Sequence, residues 1–151
     1  MIKPSTELDK AISFSFEELR RHADNVAHLP IELQTVVRVV SAGGVIGNGG
    51  LKYFFERDWV GMPPYEEFVN AFRAIGANEI ADSIEGVVRL LGPSPHLDRA
   101  RRWSRFGGLW SRPRSLVKKF DDPVSISEVC QKTDALLERF VAEHRSAFVK
   151  D

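Results

Sequence analysis

The chain of 151 residues sets 21 Lys and Arg against 21 Asp and Glu, a formal net charge of zero. That balance removes any general attraction to phosphate without forbidding a local one. Its hydrophobic content of 43% suffices for the core of one domain, and its single cysteine, Cys130, excludes an intramolecular disulfide or a thiolate zinc site within one chain.

The opening "MIKPSTELDK" lacks the apolar stretch of a secretory signal. No apolar run approaches the ~20 residues of a bilayer span, so a cytoplasmic protein without membrane contact is expected. Residues 1–13 read as a flexible N-terminal segment. Ser15 with Glu18 three positions later has capping-box spacing and predicts a helix start, with Phe14 and Leu19 as its staple. Phe16, Leu19, Ala23 and Val26 supply the apolar side. A second helix is expected to begin at Pro30 and to end at Gly43 and Gly44. Leu33, Val36, Val37 and Val40 recur with helical period there, although the β-branched run "VVRVV" also suits a short strand.

"GNGGLKYFFERDW", Gly47 to Trp59, sets glycines against aromatics. It lacks the Gly-Lys-Ser/Thr ending of a P-loop and the preceding strand of a dinucleotide fingerprint. A third helix is expected to start near Gly49 or Gly50, with Asn48 as its cap and the glycines permitting close backbone approach. Phe54 and Phe55 then enter the core, Tyr53 lies at its edge, and Trp59 closes the far end. Binding of a small anion at this helix start is the alternative.

"MPPYEEFVNAFRAIGA" places Tyr65, Phe68, Val69, Phe72 and Ile75 on one helical face, and "NEIADSIEGVVRLLG" repeats the pattern with Ile80, Ile84, Val87, Val88 and Leu91. Gly92 and Pro93 stop that helix. Beyond it the sequence predicts a short helix over "LDRARRW", a loop over "FGGLWSRPR" and a helical turn from Ser115 to Phe120. A last helix starts at Ser125, in capping-box spacing with Glu128, and buries Val129, Leu136, Leu137, Phe140 and Val141. The expected fold is all-α, one compact helical bundle of about six to eight helices over residues 14–151.

Charge is locally uneven. From Leu97 to Lys119 eight cations stand against Asp98 alone, a net of +7 that leaves −7 for the remainder. Arg99, Arg102, Arg105 and Arg112 interleave there with Trp103, Phe106 and Trp110. Such a block fits a protein interface, a single-stranded nucleic acid stacked on aromatics, or aromatics packed inward beneath solvated arginines.

Catalytic spacing is absent. No two histidines stand at i, i+4, and His22, His28, His96 and His144 fall at helix edges or connections. Cys130 follows a helix start, which favours thiolate, but sits on an apolar-rich helix, which favours a buried inert thiol. Glu66–Glu67 and Asp121–Asp122 are adjacent in sequence and do not share a helical face. No catalytic, metal or cofactor residues are therefore assigned, and no cofactor is expected.

"NGGLKYFF" followed by "FVNAFRAIGANEIADSI" resembles a bacterial domain family first labelled as of unknown function and known as the C-terminal domain of a DNA-mimic protein. Asn48, Gly49, Gly50, Phe54 and Phe55 match its first motif; Ala71, Ile75, Gly76 and Ala77 match its second. The resemblance spans about 31–148 and implies an all-helical fold in which these positions are mainly structural. Where members carry a glutamate before Asn-Gly-Gly and a glutamine before the aromatic pair, this chain has "VIG" and Tyr53. The named DNA mimic is strongly acidic and binds a transcription regulator, whereas this chain is neutral, so the resemblance implies the fold rather than the mimicry.

The expected function is non-catalytic: a regulatory or neutralising protein whose partner is an acidic protein, met by Arg99, Arg102, Trp103, Arg105, Trp110 and Arg112. A small-ligand or enzymatic domain using the Asn48–Phe55 region, and single-stranded nucleic-acid binding, are the alternatives.

Overall fold

Valines at helical spacing, unbroken by proline, make the longest helix and place it at the centre. In this computed structural model, which describes residues 6–110 and 123–150, the α-helices are α1 (Glu7–Arg21), α2 (Ile31–Glu56), α3 (Tyr65–Ala74), α4 (Asn78–Leu91), α5 (Arg99–Trp110) and α6 (Pro123–Glu143). Short 3-10 turns lie at Val26–His28, Pro95–Leu97 and Arg145–Phe148. Among the described residues there is no strand, as the helical reading of "VVRVV" requires. α2 packs against α1, α3, α5 and α6, and α3 pairs with α4.

The N-terminal expectation needs correction. α1 begins at Glu7, so residues 7–13 are helical rather than a flexible segment. Thr6 is the cap: its hydroxyl accepts from the Asp9 amide at 3.1 Å, and the Asp9 carboxylate accepts from the Thr6 amide at 2.9 Å. Ser15 is buried in mid-helix and donates to the Ala11 carbonyl at 2.8 Å. Ala23 lies beyond the helix, exposed, in left-handed conformation (φ 53°). Phe14, Phe16, Leu19 and Val26 do pack, around a small second core of Leu29, Leu33 and Val37.

Gly43 and Gly44 do not stop α2. The break comes at Gly49 and Gly50, where the sequence predicted a new helix; Gly50 is buried with φ 69° and ψ −168°. That region is essentially closed to residues with a Cβ. A Gly50→Ala variant is therefore expected to lose about 1–3 kcal/mol, read as a lower urea midpoint. Gly43 is helical and a Cβ there would meet nothing within 4 Å. Gly43→Ala should instead gain about 0.5–1 kcal/mol. Equal midpoints for the two variants would contradict the bend.

The bend turns Phe54 and Phe55, both 0% exposed, into the core beside Tyr65 and Phe68. Trp59 closes this cluster, its indole N–H donating to the Phe54 carbonyl at 3.1 Å. Burial, with Asp58 adding to it and Arg102 opposing, pushes the Tyr65 phenol up to about 12. The apolar faces of α3 and α4 are buried as expected, with Val88 partly so, and Gly92 ends α4 with φ 89°.

Two further boundaries differ. α5 continues through Phe106–Trp110, where the glycine pair suggested a loop; one long helix satisfies backbone groups that a loop would leave to water. α6 starts at Pro123, a residue whose fixed φ suits a first turn, so Ser125 lies inside it. The turn expected at 115–120, Arg112 and the pair at 121–122 lie outside the described residues.

Candidate protein-interaction surface

α5 begins after Asp98, whose carboxylate accepts from the Arg101 amide at 2.9 Å. The helix carries Arg99, Arg101, Arg102 and Arg105 and no acid. The structure separates these cations sharply. Arg102, expected as a surface contact, is 1% exposed. Its guanidinium donates to the Phe55 carbonyl at 2.6 Å, the Pro95 carbonyl at 3.0 Å, the His96 carbonyl at 3.4 Å and Asp58 Oδ1 at 2.6 Å. It ties α5 to the C-terminal end of α2 and is not available to a partner.

The other three point outward. Arg99 pairs with Asp58 at 3.4 Å and lies 4.7 Å from the centroid of the Trp103 ring. Trp103 is half-buried, and its indole N–H donates to the Glu56 carbonyl at 3.1 Å, which fixes the ring while leaving one side to solvent. Arg101 and Arg105 are exposed and reach over Gly92, the C-cap of α4; their guanidinium nitrogens stand 3.0 Å and 3.3 Å from where a Gly92 Cβ would lie. Helix C-terminal carbonyls carry partial negative charge, which suits cations at this place. Trp110 is the last residue of α5.

The sequence reading missed Asp58, the acid that meets both Arg99 and Arg102. For Arg102 the sequence held no distinguishing signal: Arg99 shares helical phase with Trp103, Phe106 and Trp110 just as Arg102 does with Phe106 and Leu109.

The Asn-Gly-Gly region is built otherwise. Asn48 is exposed, and among the described residues no capping hydrogen bond from it is found, because Gly50 rather than Asn48 makes the turn. Asn48 and Gly47 border a groove of about 430 Å³ between α2 and α6, lined by apolar residues such as Val39, Ile46, Ile80 and Leu137. Of the residues lining it, Asp134 carries the one carboxylate, so convergent acids for proton transfer are not assembled there. Cys130 also lines the groove, and burial, with Asp134 adding to it, pushes its thiol up, away from the thiolate. Ile75 is buried, and Gly76 (φ 85°) turns the chain between α3 and α4.

The histidines serve local structure: His22 and His144 meet the carbonyls of Glu18 and Phe140 at 2.9 Å and 2.8 Å. Among the described residues no group of three or more His, Cys, Asp or Glu is placed to hold a metal ion. Nor is any described helix long and apolar enough to cross a membrane.

No curated protein and no solved structure matches this chain. The family model described as DMP19-like protein matches residues 27–144, nearly the span over which the two motifs resemble the DNA-mimic domain family. The kinked glycine pair, the buried aromatic pair and the Ile75–Gly76 turn all fall within that match, and the chain belongs to the DMP19-like protein family.

Proposed function

We propose that this protein is a non-catalytic, cytoplasmic interaction protein that binds an acidic protein through the outer face of α5. The observation that carries this reading is the division of labour on that helix. Buried Arg102 fixes α5 to the body of the protein, and Arg99, Arg101, Arg105 and the open side of Trp103 are thereby presented together. A rigid tryptophan flanked by arginines is the composition of an interface anchor, and clustered cations steer an acidic partner. With a neutral chain and its cations gathered here, imitation of DNA by acidic charge is not part of the reading.

The test is a pull-down at rising salt with wild type and the double variant R101E/R105E. Wild type should hold a partner that salt releases, and the variant should bind at least about tenfold more weakly. Retention by the variant, or indifference to salt, would overturn the proposal. A second reading has its own observation: a half-exposed Trp103 beside Arg99 can stack an unpaired base. Fluorescence anisotropy with single-stranded DNA and RNA separates the two, because only the second reading expects binding there that falls steeply with salt.

A further inference from the structure

Arg101 and Arg105 differ from Arg99 and Arg102, their neighbours on α5, in having no acid. They stand four positions apart, a spacing at which like charges on a helix repel. One guanidinium nitrogen of each, Nη2 of Arg101 and Nη1 of Arg105, converges on the same point beside Gly92, 3.0 Å and 3.3 Å from where a Cβ would lie. Gly92 has φ 89° and ψ −167°, so bare backbone occupies the place and no side chain parts the two tips. Both arginines are exposed, and among the described residues neither side chain makes an ion pair or a hydrogen bond.

The acids of the surrounding elements are committed elsewhere. Asp58 takes Arg99 at 3.4 Å and Arg102 at 2.6 Å. Glu56 takes Lys52 at 3.8 Å, and Glu85 of α4 takes Arg73 at 2.6 Å and Arg89 at 3.0 Å. Asp98 accepts from the Arg101 amide at the start of α5. The C-terminal end of α4 beneath the pair offsets part of the charge, but a helix end carries only about half a negative charge, so about +1.5 remains. That remainder decides the ligand class. A carboxylate brings one charge and two oxygens, a match for a single guanidinium fork. A nucleic-acid phosphodiester likewise brings one charge per phosphate. A phosphomonoester brings about −1.5 to −2 at pH 7 and three acceptor oxygens, enough to engage both forks at once.

We infer that Arg101 and Arg105 form a two-guanidinium clamp for a phosphomonoester carried on a side chain of the partner protein. The inference rests on the α5 reading and gives its acidic partner a chemistry. Buried Arg102, bonded to the Phe55 and Pro95 carbonyls, holds the turn of α5 from which both arginines project. The clamp is therefore set before the ligand arrives, which lowers the cost of ordering it.

The test is an NMR titration of the full chain with a capped Gly-phosphoserine-Gly tripeptide and its Gly-Glu-Gly counterpart. Saturable shifts of the Gly92 amide and of the Arg101 and Arg105 Nε–H signals are expected with the first, and at least about tenfold weaker binding with the second. Arg101→Gln and Arg105→Gln should each weaken phosphopeptide binding at least about tenfold. Arg89→Gln removes an exposed cation already paired with Glu85 and should change it by less than about twofold. Equal affinity for the two peptides overturns the inference, as does a loss in the Arg89→Gln protein that matches the loss in the clamp variants. So does inorganic phosphate that binds while the phosphopeptide leaves the spectrum unmoved, or tighter binding of a 5′-phosphorylated oligothymidylate, which would assign the clamp to nucleic acid. A captured partner that wild type still holds after phosphatase treatment of the lysate, and that R101E/R105E still releases, overturns this inference while the α5 reading stands. Phosphopeptide binding at the two arginines with no partner captured upholds the clamp while the α5 reading falls.

Discussion

Replacing Arg102 with methionine is expected to destabilise the protein by about 3–4 kcal/mol, measured by urea unfolding. Methionine keeps most of the packing volume but donates nothing. The carbonyls of Phe55 and Pro95, which now accept at 2.6 Å and 3.0 Å, would lose the guanidinium as a donor. A buried acceptor that finds no replacement donor costs about 1–3 kcal/mol. The ion pair contributes less than its 2.6 Å separation suggests, because Asp58 is 43% exposed and solvent screens it. Asp58 also keeps Arg99 nearby. The backbone acceptors therefore decide the outcome. Arg102→Lys tests that point: it preserves charge, but an ammonium cannot serve acceptors spread along the planar fork of a guanidinium. Lysine should recover less than half of the loss. A cost below about 1 kcal/mol for Arg102→Met would show that the carbonyls find other donors.

This outcome also governs how binding experiments on α5 are read. Loss of association in an Arg102 variant would report the release of α5, not a lost contact. The exposed arginines, Arg99, Arg101 and Arg105, are the ones that probe the proposed interface directly.

What the sequence revealed and concealed follows from the range of the interactions involved. α3 and α4 were legible because their apolar residues recur at a strict helical period, and every residue of that stripe finds the core or its edge, while Leu90, off the stripe, is exposed. The end of α2 was misread because glycine pairs are local stop signals worth only about 1 kcal/mol per residue. Burial of Val39, Ala42 and Ile46 on the same helix outweighs that cost. At the N-terminus two capping patterns compete, Thr6 with Asp9 and Ser15 with Glu18. The earlier one prevails because Leu8 and Ala11 are then buried on the main core. The basic block was legible as a block but not as individual roles. Arg99, Arg101, Arg102 and Arg105 look alike in sequence, and what distinguishes Arg102 is a carbonyl 47 positions away. Buried Arg38 of α2 was hidden for a similar reason: its acid, Glu67, sits on another helix.

Phe54→Ala is the second large effect, expected at about 3–5 kcal/mol. The ring is 0% exposed and lies 4.9 Å from Phe55, 5.2 Å from Phe68, 5.4 Å from Trp59 and 5.6 Å from Tyr65, centroid to centroid. Truncation removes the hub of four aromatic contacts and leaves a cavity whose walls are rigid rings held by three separate elements, so collapse is limited. Phe54→Leu retains much of the volume and should cost about 1–1.5 kcal/mol. Tyr53, next in the chain and 54% exposed, should tolerate alanine within about 0.5 kcal/mol. Circular dichroism in urea ranks the three. The ranking bears on function because the aromatic pair belongs to the family motif. If the pair serves packing, Phe54→Leu lowers the midpoint and leaves partner binding at α5 unchanged. A Phe54→Leu protein of wild-type stability that had lost binding would place the contact in the motif itself, and would move the functional surface from α5 to the bend of α2.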